Sequence, residues 1–189
     1  MPASSLSGVV LAAGRSRRMG REKALLEVGE RPLWERQRDV LRAAGVEEVF
    51  LSVRPEQHWA ATARGVDGLL FDAIPDCGPM IGITAAIERM THGHLAVLAV
   101  DLPAMTGAWY QRLSAVCMPG LGAVARRGDF FEPLAAIYPR EIKWLAWEHL
   151  AKHDYALQSL LRAAVAQGLM QGVETHPSDE PLFTNWNQP

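Results

Sequence analysis

Leu95 to Val100 reads LAVLAV, six residues with an apolar side chain at every position. Successive residues of a strand point to opposite faces of its sheet, so this strand must be buried on both. That requires a sheet covered by helices on either side, with LAVLAV near its middle. Gly8 to Ala13, GVVLAA, has the same character and is too short for a typical helix. Between and around these runs the pattern alternates. Pro32 to Ala44 predicts a helix, with Leu33, Gln37, Val40, Leu41 and Ala44 at helical spacing, Pro32 in its first turn and Gly45 as its stop. Glu48 to Val53 is a second strand, Glu56 to Arg64 a short helix and Gly68 to Asp72 a third strand. A helix then runs through Ile83, Ala86, Ile87 and Met90, and another from about Ala108 to Ala115. Alternating strands and helices predict a parallel sheet with helices on both faces.

The second half changes character. Gly122 to Arg126 is strand-like, Arg127-Gly128-Asp129 is a turn, and Phe131 to Tyr138 is strand-like again. So short a return predicts an antiparallel pair. Helices over Arg140–His153 and Ala156–Gln167 follow, then Gly172 to Glu174 and the tail Leu182 to Pro189. The 189 residues suit one domain, 1–189, which can bury roughly 70% of the unfolded surface.

Charge narrows the function. A net charge of −2 argues against a general nucleic-acid binder. The positive charge is concentrated between Arg15 and Arg21, which favours a small anionic ligand. No apolar run approaches the ~20 residues of a membrane helix. MPASSLSG lacks the basic and apolar regions of a signal peptide, and two cysteines imply no disulfide framework, so a cytoplasmic location is expected.

The chemistry concentrates in Gly8 to Lys23, GVVLAAGRSRRMGREK. At Gly14 the backbone loses its side-chain wall, and a phosphate can approach main-chain N–H groups and several cations. The stretch is neither a Walker A loop nor GxGxxG, because Gly20 is followed by Arg21, Glu22 and Lys23. Asp101 lies just past LAVLAV, where ligands of open α/β sheets bind. A carboxylate there suits Mg²⁺; it equally suits a helix start with Pro103 as first helical residue. Asp72, alone at a strand end, reads as a turn residue. His149 and His153 are one helical turn apart, but HLAKH is not HExxH and no third zinc ligand is evident. Cys77 reads as a small packed thiol.

LAAGRSRRMGREK, Leu11 to Lys23, resembles the LAGGxSxRMGxDK signature of the molybdopterin guanylyltransferase family, with Ala13 in place of Gly and Glu22 in place of Asp. Asp101-Leu102-Pro103, Gly78-Pro79-Met80-Ile81-Gly82, Glu132-Pro133-Leu134 with Tyr138, and Asn185-Trp186-Asn187 resemble further motifs of that family and arrive in its order. Gln188 stands where the family has Thr, and Ser52 where many relatives have Asn. The resemblance implies a Rossmann-like nucleotidyltransferase fold: three layers, α/β/α, a mostly parallel sheet and an antiparallel strand in the second half.

It also implies transfer of GMP from GTP to the phosphate of molybdopterin or molybdenum cofactor, with release of pyrophosphate. Leu11, Ala12, Ala13 and Gly14 would meet the nucleotide, the base lying against the first three. Arg18 and Lys23 would meet its phosphates. Ser52, Asp72, Gly78 and Gly82 would contact the nucleotide, and Asp101 would contact it and carry Mg²⁺ with Asn187. Transient contact with molybdoenzyme maturation proteins would follow, with no nucleic-acid or membrane partner. Cytidylyl transfer to molybdopterin or nucleotide-sugar synthesis stands as the alternative, since LAAG is common in the cytidylyl branch. A nucleotide-binding or cofactor-delivery module without catalysis is the second.

Overall fold

A computed structural model describes residues 5–14, 22–72 and 77–186. In chain order these form β1 (Leu6–Leu11), a 3-10 turn (Lys23–Leu25), a small hairpin of β2 (Glu27–Val28) and β3 (Arg31–Pro32), α1 (Leu33–Ala43) and β4 (Val46–Val53). A 3-10 segment (His58–Thr62), β5 (Gly68–Phe71), α2 (Pro79–Arg89), β6 (His94–Ala99) and α3 (Gly107–Ser114) follow. The second half holds β7 (Gly122–Arg127), β8 (Phe130–Phe131), β9 (Ala135–Pro139), a 3-10 turn (Arg140–Ile142), α4 (Lys143–Ala151), α5 (Leu157–Ala166), β10 (Met170–Glu174) and a 3-10 segment (Pro177–Phe183).

The main sheet runs β10-β7-β9-β6-β1-β4-β5, with β8 paired to β7. β1 lies between β4 and β6, parallel to both, and β4 is parallel to β5. β9 is antiparallel to β6 and to β7. The sequence therefore alternates as its periodicity predicts. Val10, Ala96, Leu98 and Ile137 face a core completed by Leu33, Leu41, Trp109 and Leu113 of α1 and α3. Their neighbours Val9, Leu95, Val97 and Ala136 face a second core completed by Met80, Ile87, Leu145 and Leu161 of α2, α4 and α5. Each fully buried Val or Leu contributes about 1.5–3 kcal/mol relative to exposure, which is why β1 and β6 take the centre of the sheet.

Three expectations change: Pro32 lies in β3 and caps α1 instead of standing in its first turn, the short helix over Glu56 to Arg64 is a 3-10 segment at His58–Thr62, and the hairpin strand divides. Phe131 to Tyr138 is two strands, not one. Phe130 and Phe131 close a hairpin on Arg127 and Arg126. Pro133 has no N–H for a ladder, and the chain turns at 132–134 before β9 enters between β6 and β7. The antiparallel pairing with the preceding strand exists through both pieces.

The order of connections places the site. The chain moves outward from β1 through β4 to β5, then returns across β1 to β6. The crevice between the carboxyl ends of β1 and β6 is the switch point where open α/β sheets receive ligands. Gly14 follows one strand and Asp101 the other.

Candidate active site

The floor of the site is the end of β1. The Leu11 carbonyl accepts a hydrogen bond from Val100 N at 3.1 Å, and Ala12 N donates to the Ser52 carbonyl at 2.8 Å. Residues 11 and 12 are thus stitched between the ends of β6 and β4. Leu11 and Ala12 are buried, Ala13 is half-buried and Gly14 exposed, so the surface opens at the glycine turn.

Asp101 stands across the crevice. Its Oδ2 lies 3.5 Å from Lys23 Nζ, with the side chains 27% and 19% exposed. At this length the contact is at the limit of a hydrogen bond, and it sets the ammonium and the carboxylate side by side at the mouth of the crevice. The backbone under Asp101 is held more firmly. Buried Gln37 of α1 donates to the Leu102 carbonyl at 2.7 Å and lies 3.4 and 3.5 Å from the carbonyls of Ala99 and Val100. Arg36 donates to the Pro103 carbonyl at 2.9 Å. Trp186 N donates to the Asp101 carbonyl at 2.9 Å, which brings the tail with Asn185 to the same place. Arg18 and Asn187 lie outside the described residues, as do Arg15, Arg17 and Arg21.

The third wall is α2. Gly78 caps it with φ +66°, a conformation L side chains rarely adopt, and Pro79 begins the helix where a missing N–H costs nothing. The helix N-terminus therefore faces the carboxyl edge of the sheet with its positive end. Gly82 packs onto the strands: a Cβ there would stand 2.6 Å from Ser52 Oγ and 3.0 Å from Leu11 Cδ2. Ser52 is 1% exposed beneath this contact, so its hydroxyl faces α2 and its carbonyl holds Ala12. Asp72 is half-buried at the end of β5, its N–H donating to the Val53 carbonyl at 2.8 Å. Cys77 is buried, and the nearness of its thiol raises the pKa of the Tyr155 hydroxyl.

Other polar groups have structural partners. Glu132 Oε1 pairs with Arg127 Nη1 at 2.7 Å, and the Tyr138 hydroxyl donates to the Pro133 carbonyl at 2.8 Å. Burial raises the Tyr138 pKa. His149 meets Asp154 at 3.0 Å and His153 meets Tyr155 at 2.9 Å, so each ring has its own partner. A cleft beside the β7–β8 hairpin, lined by Arg126, Phe130, Glu132, Gln158 and Glu180, opens at the end of β7. Nothing in the sequence marks Arg54 or Gln57, and Gln37 is marked only by its place at helical spacing in α1. All three act on backbone carbonyls more than 40 residues away, a pairing that only the folded crossover creates.

A glycine turn and a lysine–aspartate pair meet at the switch point of a mixed α/β sheet, the arrangement expected of a nucleotidyltransferase. The fold agrees with solved structures. A nucleotidyl transferase from Methanothermobacter superposes with a TM-score of 0.78 at 20% identity, covering 97% of this chain and 92% of that one. The molybdopterin-guanine dinucleotide biosynthesis protein A of Archaeoglobus fulgidus gives 0.74 at 19% identity, covering 97% and 93%. Residues 8–173 match the MobA-like NTP transferase domain, and the chain belongs to that family of nucleotidyltransferases. It is 40% identical to a probable molybdenum cofactor guanylyltransferase of Opitutus terrae over 190 residues, 99% of this chain and 93% of that protein. It is 32% identical to a molybdenum cofactor guanylyltransferase of Pseudomonas putida over 185 residues, 96% and 92% of the two chains. Among the described residues no helix is long and apolar enough to cross a membrane.

Proposed function

We propose that this chain, acting as one domain over residues 1–189, transfers GMP from GTP to the terminal phosphate of molybdopterin or its molybdenum-loaded form. The observation that carries the reading is Asp101 beside Lys23 at the end of β6, facing the glycine turn after β1. An oxygen of the acceptor phosphate forms a bond to the α-phosphorus, the bond from that phosphorus to the β-phosphate oxygen breaks, and pyrophosphate leaves with the electron pair. The acceptor is already an anion, so no side chain has to remove a proton. What remains is positioning and charge. Lys23, with Arg18, meets the phosphates that become pyrophosphate. Leu11 to Ala13 form the wall for the base, with Gly14, Asp72 and the Gly78–Gly82 turn closing around the nucleotide. Ser52 supports that wall from beneath.

Asp101 is a hard oxygen donor and fits Mg²⁺. Among the described residues no group of three His, Cys, Asp or Glu side chains could hold a metal ion. Magnesium is commonly held by one or two protein carboxylates with water and phosphate oxygens filling its shell, so Asp101 would supply the carboxylate, and the family resemblance gives Asn187, which lies outside the described residues, as its companion ligand. When bound, the ion would neutralise and orient the α-phosphate. Asp101→Asn tests the assignment. The fold should persist, and turnover should fall by about 10²–10³-fold, the scale of one preorganised electrostatic contact. Near-normal turnover of the variant at limiting magnesium rejects the role. Ala13 favours a second reading, cytidylyl transfer, because its methyl group narrows the approach of a base to the turn.

A further inference from the structure

Behind the glycine turn lies a cluster of three side chains that the proposed chemistry does not use. Arg54 Nη1 donates to the carbonyl of Ala13 and, at 2.9 Å, to that of Gly14. Arg54 Nη2 donates to Glu22 Oε1 at 2.8 Å. Gln57 Nε2 donates to the Ala12 carbonyl at 3.1 Å and to Glu22 Oε2 at 2.6 Å. Gln57 Oε1 in turn accepts from Arg54 N at 2.7 Å. Both oxygens of one carboxylate are therefore held, each by a different side chain. The same two side chains hold three successive carbonyls on the other stem of the signature loop.

Two consequences follow from elementary geometry. In a trans peptide the carbonyl and the next N–H point in opposite directions. Turning the carbonyls of Ala12 and Ala13 toward Gln57 and Arg54 turns the N–H groups of Ala13 and Gly14 the other way, as donors. At the second stem, fixing Glu22 fixes the backbone of its neighbour Lys23, whose ammonium lies 3.5 Å from Asp101. Gln57 is buried, the Arg54 side chain is 17% and the Glu22 side chain 33% exposed, so the cluster is partly sheltered from water. The guanidinium is committed to Glu22 and to main chain, which makes it a structural cation and not one that meets the substrate.

We propose that Arg54, Glu22 and Gln57 are positioning residues. They hold the two stems of the signature loop, residues 12–14 and 22–23, at one separation and so preorganise the N–H groups of Ala13 and Gly14 and the Lys23 ammonium for the triphosphate. This rests on the reading of that loop as the nucleotide site. The hydrogen bonds of Glu22 go to Arg54 and Gln57 and not directly to the base wall, so its loss should act on phosphate binding and spare the base.

The test is calorimetric titration of the purified chain with inorganic pyrophosphate, GTP and guanosine in the presence of magnesium. Glu22→Ala and Arg54→Ala should each weaken GTP and pyrophosphate binding about tenfold, a loss near 1.4 kcal/mol. In Glu22→Ala, guanosine affinity should stay within about twofold. The double variant should be no worse than the weaker single one, because both break the same clamp. Glu22→Gln keeps the volume but sets an amide against two donors; it should lose phosphate affinity too, and serves if the alanine variant folds poorly. Unchanged pyrophosphate affinity in the single variants, additive losses in the double, or an equal loss for guanosine in Glu22→Ala would overturn the clamp. If the wild-type chain binds neither GTP nor pyrophosphate, the nucleotide reading itself falls and takes the clamp with it.

Discussion

Gly82→Ala is the sharpest probe of how α2 closes the site. Two effects of opposite sign meet at this residue. Alanine in a helix interior is favoured over glycine by about 1 kcal/mol. Against that, the new Cβ would stand 2.6 Å from Ser52 Oγ and 3.0 Å from Leu11 Cδ2. Real Cβ atoms do not tolerate 2.6 Å, and Ser52 is 1% exposed, so the hydroxyl must rotate within a packed core or α2 must lift. Overpacking of this kind costs about 1–3 kcal/mol. The net loss is about 0–2 kcal/mol, and each kcal/mol lowers Tm by roughly 2–4 °C in a chain of this size. Removing the hydroxyl should reverse the sign. In a Ser52→Ala background the closest remaining neighbours of the new Cβ are the flexible end of Leu11 at 3.0 Å and residue 52 Cβ at 3.4 Å. There the helix-propensity gain should dominate, and Gly82→Ala should raise Tm. Thermal unfolding of the four proteins, with KM for GTP on each, decides the matter. A rise in Tm from Gly82→Ala in the wild-type background, or equal shifts in both backgrounds, refutes the packing argument.

Two further outcomes test the frame around the site. At Gly122 a Cβ would lie 2.3 Å from the Ile137 carbonyl, 2.6 Å from Pro139 Cδ and 2.7 Å from Met170 Sδ, so Gly122→Ala should cost at least ~3 kcal/mol in denaturant unfolding; a loss under ~1 kcal/mol contradicts the β7–β9–β10 packing. Asp179 should tie the tail to α3 by charge: the hydrogen bond from His176 N, then Arg112 at 2.9 Å, hold its carboxyl below the usual 3.8. A depressed folded pKa means stability present above pH 3.8 and lost as pH falls through the folded value. Asp179→Asn should therefore lower Tm at pH 7, and the gap to wild type should close as the pH drops below about 4; a constant gap would point to packing instead.

Much of this architecture was legible in the chain, and the reasons are physical. Runs apolar on both faces, GVVLAA and LAVLAV, have one stable place, the middle of a covered sheet, and β1 and β6 occupy it. The helical periods of α1 and α2 are local and readable. β9 was harder to place. Its own residues announce a buried strand, but insertion between β6 and β7 is a long-range choice that no window of sequence contains. The β2–β3 hairpin is too short to carry a period.

The site divides the same way. Asp101, Lys23 and the glycine turn stand out in the sequence because each follows a marked strand or signature. The structure brings Asp101 to Lys23, and it brings the tail to Asp101 through Trp186. Arg54 and Gln57 gave no signal, because a guanidinium that serves carbonyls 40 residues upstream looks like any loop arginine. Ser52 was read by position alone, and only the packing of Gly82 reveals that its hydroxyl lies under a helix.

The most direct measurement uses the purified chain with magnesium, molybdopterin and either GTP or CTP. Pyrophosphate is quantified and the dinucleotide product weighed by mass spectrometry. The account predicts one pyrophosphate per molybdopterin guanine dinucleotide, with kcat/KM for GTP at least about tenfold above that for CTP. A preference for CTP of about tenfold or more, near 1.4 kcal/mol in transition-state binding, would contradict the guanylyl assignment and give the weight to Ala13.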